Sequence, residues 1–197
     1  MMTQAECSKL AVLISGNGSN LGAILDHIEQ GKLPAEVSLV ISNKADAYGL
    51  VRAEQAGIKT LVLENKTYAT RQEYDHSLIR TLEECNPDLI VLAGFMRILG
   101  PGLVTRFQGR IVNIHPSYLP ALPGLHSIER AVKEKHTFTG VTVHYVDHGM
   151  DTGPIIMQEK VDIDPQDTPE SLTEKVHKVE HRLYSKAIAK VLKEIKS

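Results

Sequence analysis

The segment VNIHPSYLP, residues 112–120, places an amide and an imidazole two residues apart where an apolar run ends. Asn113 and His115 lie at and just beyond the carboxyl end of a predicted central strand, the edge at which open α/β sheets carry their chemistry. An amide can donate a hydrogen bond to a developing oxyanion, and an imidazole can donate or remove a proton near neutral pH. The spacing permits catalysis, but it also fits a histidine that only caps or packs against a strand.

A carboxylate is predicted to approach this pair. Asp151 lies in a glycine-bounded loop, residues 149–153, between two further strands of the same predicted sheet. A carboxylate beside an imidazole favours the imidazolium form. Amide, imidazole and carboxylate together suit acyl or formyl transfer. No serine or cysteine occupies a G-x-S-x-G elbow, so the attacking nucleophile is expected to belong to the substrate.

The glycine-rich stretch SGNGSNL, residues 15–21, joins the first predicted strand to the first helix. Backbone N–H groups and a helix N-terminus at such a turn favour an anion. Leu21 replaces the third glycine of a dinucleotide fingerprint, and the lysine and hydroxyl of a P-loop are missing, so NAD and ATP are both disfavoured. Two interpretations remain: a plain turn capped by Ser19 or Asn20, or a single phosphate held by Gly18, Ser19 and Asn20.

Two histidine pairs could indicate a metal, and neither is expected to hold one. His144 and His148 are four apart on a predicted strand, which separates them by about 13 Å. The stretch HKVEH, residues 177–181, matches the H-x-x-E-H pattern of zinc proteases and would place both histidines on one helix face. A third protein ligand is also needed, and only one acid and no histidine or cysteine follow.

The elements that position these groups alternate between short apolar runs and amphipathic stretches. The runs lack polar alternation, which indicates strands covered on both faces. The predicted fold is α/β: a Rossmann-like doubly wound open sheet, parallel in the N-terminal half and mixed in the C-terminal half, with helices on both faces. The predicted strands span 10–15, 36–42, 59–64, 88–94, 109–114, 139–146 and 154–163, and the helices 21–31, 47–57, 71–85, 127–135 and 169–195.

Composition bounds the remaining classes. The 197 residues, 42% of them hydrophobic, predict one domain over 1–197, with a phosphate-binding half at about 10–110 and a catalytic half at about 111–197. A net charge of −2 argues against a nucleic-acid partner. Two cysteines provide no disulfide framework, and neither an export signal nor a long apolar stretch is apparent, so a cytoplasmic protein without membrane contact is expected.

Several motifs in this order resemble the folate-dependent phosphoribosylglycinamide formyltransferases. They are VLISGNGSNL, SNKADAYGL, VLAGFMRIL, NIHPSYLPALPGLH and GVTVHYVDHGMDTGPII, and the resemblance runs from about residue 10 to 190. It implies formyl transfer from 10-formyltetrahydrofolate, a co-substrate, to the amine of 5-phosphoribosylglycinamide in purine synthesis. It further implies small-molecule substrates, no metal, NAD or ATP, and a monomer or homodimer.

The resemblance also implies roles for individual residues. The catalytic groups are Asn113, His115 and Asp151, and the phosphate loop is Gly18, Ser19 and Asn20. Folate binding falls to Arg71, Met96, Arg97, Ile98, Leu99, Asn113, Asp147, His148, Gly149, Met150 and Asp151. Glycinamide-side contacts fall to His177, Lys178, Val179 and Glu180, which gives HKVEH a substrate role in place of zinc. Leu122 departs from the family pattern, in which an aromatic residue is frequent, and Gly149 and Met150 lie at variable positions.

Three alternatives share parts of this pattern. The hydrolase of 10-formyltetrahydrofolate is expected to carry an extra N-terminal domain, and the methionyl-tRNA formyltransferase an extra C-terminal domain. Strand one begins near residue 10 and the sequence ends at 197, so both are disfavoured. A non-catalytic nucleotide-sensing module would keep the glycine loop without needing Asn113, His115 and Asp151 together.

Overall fold

The computed structural model describes residues 7–196. Seven strands and six helices lie within that range. The strands are β1 (Ser8–Ile14), β2 (Ala35–Ser42), β3 (Thr60–Val62), β4 (Leu89–Leu92), β5 (Ile111–His115), β6 (Phe138–Tyr145) and β7 (Ile155–Asp162). The helices are α1 (Ser19–Glu29), α2 (Tyr48–Gln55), α3 (Arg71–Cys85), α4 (Pro101–Arg106), α5 (Ser127–Lys133) and α6 (Pro169–Ile195).

The strands form one sheet in the order β3-β2-β1-β4-β5-β6-β7. Strands β1 to β5 pair in parallel, whereas β6 and β7 are antiparallel to their neighbours. The predicted parallel N-terminal half and mixed C-terminal half are therefore confirmed. The chain reverses its direction of travel across the sheet between β1 and β4, and such a switch point is where open α/β sheets bind their ligands.

Both faces of the sheet are buried under helices. Leu10 and Val12 of β1 belong to an apolar cluster that α1 and α6 cover, whereas Ala11 and Leu13 belong to a second cluster under α3 and α4. Because neighbouring side chains on a strand face opposite sides, this partition confirms the predicted two-sided sheet.

Most element boundaries differ from the predicted ones by one to a few residues, and the larger differences concern β3 and α4. Strand β3 has only three residues, and α4, which begins with Pro101 in its first turn, was not predicted. Gly18 precedes α1 with a φ of 71°, and no side chain caps that helix, so of the two interpretations of the glycine loop the turn capped by Ser19 or Asn20 is not what the structure shows. Thr168 caps α6, because its side chain accepts a hydrogen bond from the N–H of Ser171.

Two predictions fall partly outside the described range. The expected absence of an export signal concerns the first ten residues, of which 1–6 are not described, and the single domain over 1–197 includes these residues too. Within residues 7–196, no helix is long and apolar enough to cross a membrane.

Candidate active site

Strand β5 holds the predicted amide and imidazole at the carboxyl edge of the sheet. Asn113 is half-buried and His115 is 6% exposed. Their alternation along the strand places both side chains on one face. The hydroxyl of Tyr184, on α6, contacts the carbonyl oxygens of Leu92 at 2.8 Å and Val112 at 3.1 Å. Helix α6 is thereby tied to the ends of β4 and β5, which fixes the strand end that carries the site.

The loop after β6 folds back over this strand end and brings the predicted carboxylate to the imidazole. One carboxylate oxygen of Asp151, Oδ2, lies 3.4 Å from Nδ1 of His115 and accepts the backbone N–H of Gly124 at 2.8 Å. The other oxygen, Oδ1, lies 3.6 Å from Nε2 of His144. The structure thus brings together the three groups that the sequence proposed as catalytic, and adds a fourth.

The two ring nitrogens of His115 face different groups. Its Nε2 lies 2.9 Å from the carbonyl oxygen of Leu122, which can only accept, so Nε2 carries a proton. Its Nδ1 faces the Asp151 carboxylate. Burial raises the pKa of Asp151, but the contact with His144, the N–H of Gly124 and the charge of His115 together outweigh it, so the pKa is lowered. An ionised Asp151 is thus the negative charge that faces Nδ1 of His115.

The fourth group, His144, was missed as a site residue. It lies opposite Asn113 in the antiparallel pairing of β5 with β6. Its Nδ1 donates to the carbonyl oxygen of Tyr145 at 2.9 Å, and its Nε2 lies 3.3 Å from the amide nitrogen of Asn113 and 3.6 Å from Oδ1 of Asp151. His144 therefore contacts both the amide and the carboxylate of the site. The available signal was the antiparallel alignment of the two apolar runs, whereas the sequence argument considered only a metal role for this histidine.

Strained backbone surrounds the imidazole–carboxylate pair. Leu122, His126 and Asp151 have φ values of 55°, 58° and 57°, a left-handed region that is costly for residues other than glycine. Gly153 closes the Asp151 loop at a place where an added Cβ would lie 1.8 Å from the carbonyl oxygen of Tyr145, so only glycine fits. Leu122, the position at which the sequence departs from the family pattern, contacts His115 through its backbone carbonyl. Any residue at this position would supply that carbonyl.

A cleft of 690 Å³ opens in front of this pair, a size suited to a small organic molecule. Exposed apolar side chains line it, namely Met96, Ile98, Leu125 and Met150. Every predicted folate-binding position lines it except His148, which lies on the exposed tip of its loop. The lining positions are Arg71, Met96, Arg97, Ile98, Leu99, Asn113, Asp147, Gly149, Met150 and Asp151.

The segment after β4 forms one wall of this cleft and is held from two sides. Arg71 donates to the carbonyl oxygen of Ile98 at 3.0 Å, and the N–H of Met96 donates to the hydroxyl of Ser15 at 2.8 Å. The guanidinium of Arg97 lies 5.3 Å from the ring centre of Tyr74, and its Nε is buried without a hydrogen-bond partner. The bond through Ser15 links this wall directly to the start of the glycine loop.

The glycine loop faces the middle of α6. The amide of Asn20 donates to Oε2 of Glu180 at 3.3 Å, whereas its own Oδ1 is buried without a partner. His177 Nε2 lies 3.8 Å from the same carboxylate oxygen. Of the other predicted positions on α6, Lys178 is exposed and Val179 packs in the core. The structure therefore joins the predicted phosphate loop to His177 and Glu180, and leaves Val179 without access to a ligand.

The histidines of HKVEH stack on one another. The His177 and His181 ring centres are 6.1 Å apart with the rings nearly parallel. Among residues 7–196, no three histidine, cysteine, aspartate or glutamate side chains are grouped as metal ligands would be.

Burial of Glu180 predicts a pH-dependent stability. The side chain is 5% exposed, and burial raises its pKa from 4.5 to about 7, although the amide of Asn20 opposes the shift. The folded chain therefore holds a proton that the unfolded chain releases, so this stability is complete below pH 4.5 and is lost as pH rises towards 7. Relative to Glu180→Gln, the wild type should lose about 3 kcal/mol of unfolding free energy across this interval.

Urea unfolding at the two ends of that pH interval measures the effect. Glu174→Gln, at an exposed position of the same helix, is the matched control and should keep the wild-type pH dependence. Equal pH dependence in Glu180→Gln and the wild type would contradict a buried, protonated Glu180.

The fold and the site together define an α/β enzyme that carries its chemistry at the switch point of a doubly wound sheet. The family described as formyl transferase matches residues 8–188. The chain therefore belongs to the formyl transferase family, and the formyltransferase class expected from the motifs is confirmed.

Individual relatives are more specific. The chain is 46% identical to the phosphoribosylglycinamide formyltransferase of Escherichia coli K12, with 91% of this chain and 85% of that protein covered. It is 49% identical to the trifunctional purine biosynthetic protein adenosine-3 of Drosophila melanogaster, covering 92% of this chain but only 14% of that much longer protein. The solved glycinamide ribonucleotide transformylase 1 of Symbiobacterium toebii is 43% identical and superposes with a TM-score of 0.92 over 96% of this chain and 89% of its own. The resemblance drawn from the motifs is thereby confirmed.

Proposed function

We propose that this chain transfers the formyl group of 10-formyltetrahydrofolate to the amine of 5-phosphoribosylglycinamide, a step of purine biosynthesis. The observation that carries the proposal is the contact between His115 and Asp151, at 3.4 Å, beside Asn113 at the inner end of the cleft. Relatives named for this activity support the identity of the amine substrate, and the motif resemblance supports the folate as the formyl donor.

The cleft is proposed to hold the folate. Its apolar rim, which includes Met96, Ile98 and Met150, suits the flat faces of an aromatic ring system. Arg71 and Arg97 add positive charge to the same cleft and can pair with the carboxylates of the folate's glutamate. Asp151 then lies between this cleft and the strand end, where a formyl group would meet an attacking amine.

The glycine loop is proposed to hold the phosphate of the other substrate. Gly18 adopts a left-handed conformation in front of α1, and the first turn of that helix carries neither a side-chain cap nor an acidic residue. Its leading N–H groups, those of Ser19 and Asn20, are therefore available to phosphate oxygens, and the helix dipole favours the negative charge. The ribose would extend towards His177 and Glu180 on α6.

The proposed reaction proceeds by direct attack. The substrate amine forms a bond to the formyl carbon, and the carbonyl oxygen becomes an oxyanion. Asn113 donates an amide N–H to this oxyanion, and the positive charge of His115, maintained by Asp151, stabilises it. The bond from carbon to the folate nitrogen then breaks, the folate nitrogen takes up a proton, and the former amine loses one. His144 lies beside both the Asn113 amide and Asp151 during these steps.

A folate absorbance assay tests the proposal. Conversion of 10-formyltetrahydrofolate to tetrahydrofolate is expected only when 5-phosphoribosylglycinamide is present, and the formylated amine should form in equal amount. Turnover without the amine would instead indicate the hydrolase. Absence of turnover with both substrates present would favour a non-catalytic binding module.

A further inference from the structure

Helix α2 forms the floor beneath the glycine loop. The N–H of Gly49 donates to the carbonyl oxygen of Gly16 at 3.0 Å. A Cβ added to Gly18 would lie 2.7 Å from the Cα of Gly49, so the two backbones approach as closely as glycine allows. The position of the loop is therefore set by α2, an element to which the family resemblance assigned no role.

Arg52, one turn further along α2, makes two hydrogen bonds to the loop, and both go to Asn17. Its Nε donates to the backbone carbonyl oxygen of Asn17 at 3.0 Å, and its Nη2 donates to the side-chain Oδ1 of Asn17 at 3.2 Å. The guanidinium also lies over the ring of Tyr48, 4.9 Å from its centre. A planar fork can make both hydrogen bonds at once, which an ammonium group cannot do with the same geometry.

The third nitrogen of Arg52 lies against the first turn of α1. Nη1 is 3.5 Å from the position that a Cβ on Gly22 would occupy. No hydrogen-bond acceptor for Nη1 is found among residues 7–196, whereas Nε and Nη2 both have one. The stretch GNGSNLG, residues 16–22, contains no lysine or arginine of its own. Arg52 therefore brings a positive charge to a loop that otherwise offers only backbone dipoles.

We propose that Arg52 is a positioning residue for the phosphate monoester of the amine substrate: it holds Asn17, and so the N–H groups that follow, and supplies the loop with a cation. This inference rests on the proposed function, since it concerns the same phosphate site. Beyond that function, the inference assigns a role to a residue outside the loop, Arg52, and an electrostatic contribution of this residue to substrate affinity.

Steady-state kinetics of the full chain test the role. Arg52→Gln is expected to raise the KM for 5-phosphoribosylglycinamide about tenfold with kcat changed less than about twofold, because a hydrogen-bonded charge is lost from binding and not from the reacting atoms. Arg52→Lys keeps the charge but not the fork, so its KM should lie between the two. Arg106→Gln is the control, since Arg106 lies on α4 and pairs with Glu83 at 2.6 Å, away from the loop.

The salt dependence of KM separates the charge from mere support of the loop. In the wild type and in Arg52→Lys, KM should rise with ionic strength more steeply than in Arg52→Gln, because screening weakens a charge that only the first two retain. An unchanged KM in Arg52→Gln, or a raised KM with the wild-type salt dependence, would overturn the inference. If Arg52→Gln fails to fold, the test rests on Arg52→Lys. A KM for 5-phosphoribosylglycinamide equal to that of the wild type in Arg52→Lys would then overturn the inference. A wild type that does not use this amine would contradict the proposed function instead.

Discussion

Asp151→Asn is expected to lower kcat by ~10²–10³ while the affinities for both substrates change little, as for loss of one group that stabilises a transition-state oxyanion. The amide has no negative charge, so it cannot keep His115 in its charged form. It also offers one acceptor oxygen where the carboxylate offers two, although the N–H of Gly124 and the ring nitrogens of His115 and His144 all face that group. Asp151→Asn thus removes the negative charge of Asp151 while the size and shape of the side chain stay nearly the same.

Rate and binding must be measured separately for this variant. Turnover is followed by the folate absorbance change, and dissociation constants for the folate and the amine come from equilibrium titration. Asp162→Asn, an exposed aspartate at the end of β7, is the matched control and should retain wild-type turnover. A near-normal kcat in Asp151→Asn would remove Asp151 from the catalytic groups.

The sheet was predictable because its signals are local. Short apolar runs without polar alternation identify strands buried on both faces, and the structure divides Leu10 and Val12 from Ala11 and Leu13 as such a run requires. Helix α4 was missed because six residues, PGLVTR, are too few to display a helical period. Strand β3 is shorter than its apolar run, because only Thr60, Leu61 and Val62 pair with β2.

The site was only partly predictable because its contacts join distant parts of the chain. Asn113 and His115 are recognisable from their place at a strand end, but the contact of Asn20 with Glu180 spans 160 residues. His144 becomes a site residue only through its register opposite Asn113, and register depends on strand pairing that one sequence does not display. The carbonyl of Leu122 carries no side-chain signal at all, yet it is the hydrogen-bond acceptor that requires a proton on Nε2 of His115.

His115→Ala should cost as much in kcat as Asp151→Asn, ~10²–10³, because it removes the cation that faces the oxyanion. The double variant, His115→Ala with Asp151→Asn, should be scarcely slower than either single one, since groups that act as a unit are not additive. His136→Ala is the control, because the His136 side chain is 37% exposed and pairs with Glu134 away from the cleft. Single effects that multiply in the double variant would mean that the two residues act independently.

Stability distinguishes this variant from Asp151→Asn and supplies an independent measure of the pair. Truncating His115 leaves the Asp151 carboxylate mostly buried with only Gly124 and His144 to compensate it, whereas Asp151→Asn removes the charge itself. His115→Ala should therefore lose more unfolding free energy, of the order of 3 kcal/mol, when both are measured by urea denaturation at neutral pH. Adding Asp151→Asn to His115→Ala should recover part of that loss, because the uncompensated charge is then gone. If the double variant regains unfolding free energy but not kcat, the His115–Asp151 pair contributes to both folding and catalysis.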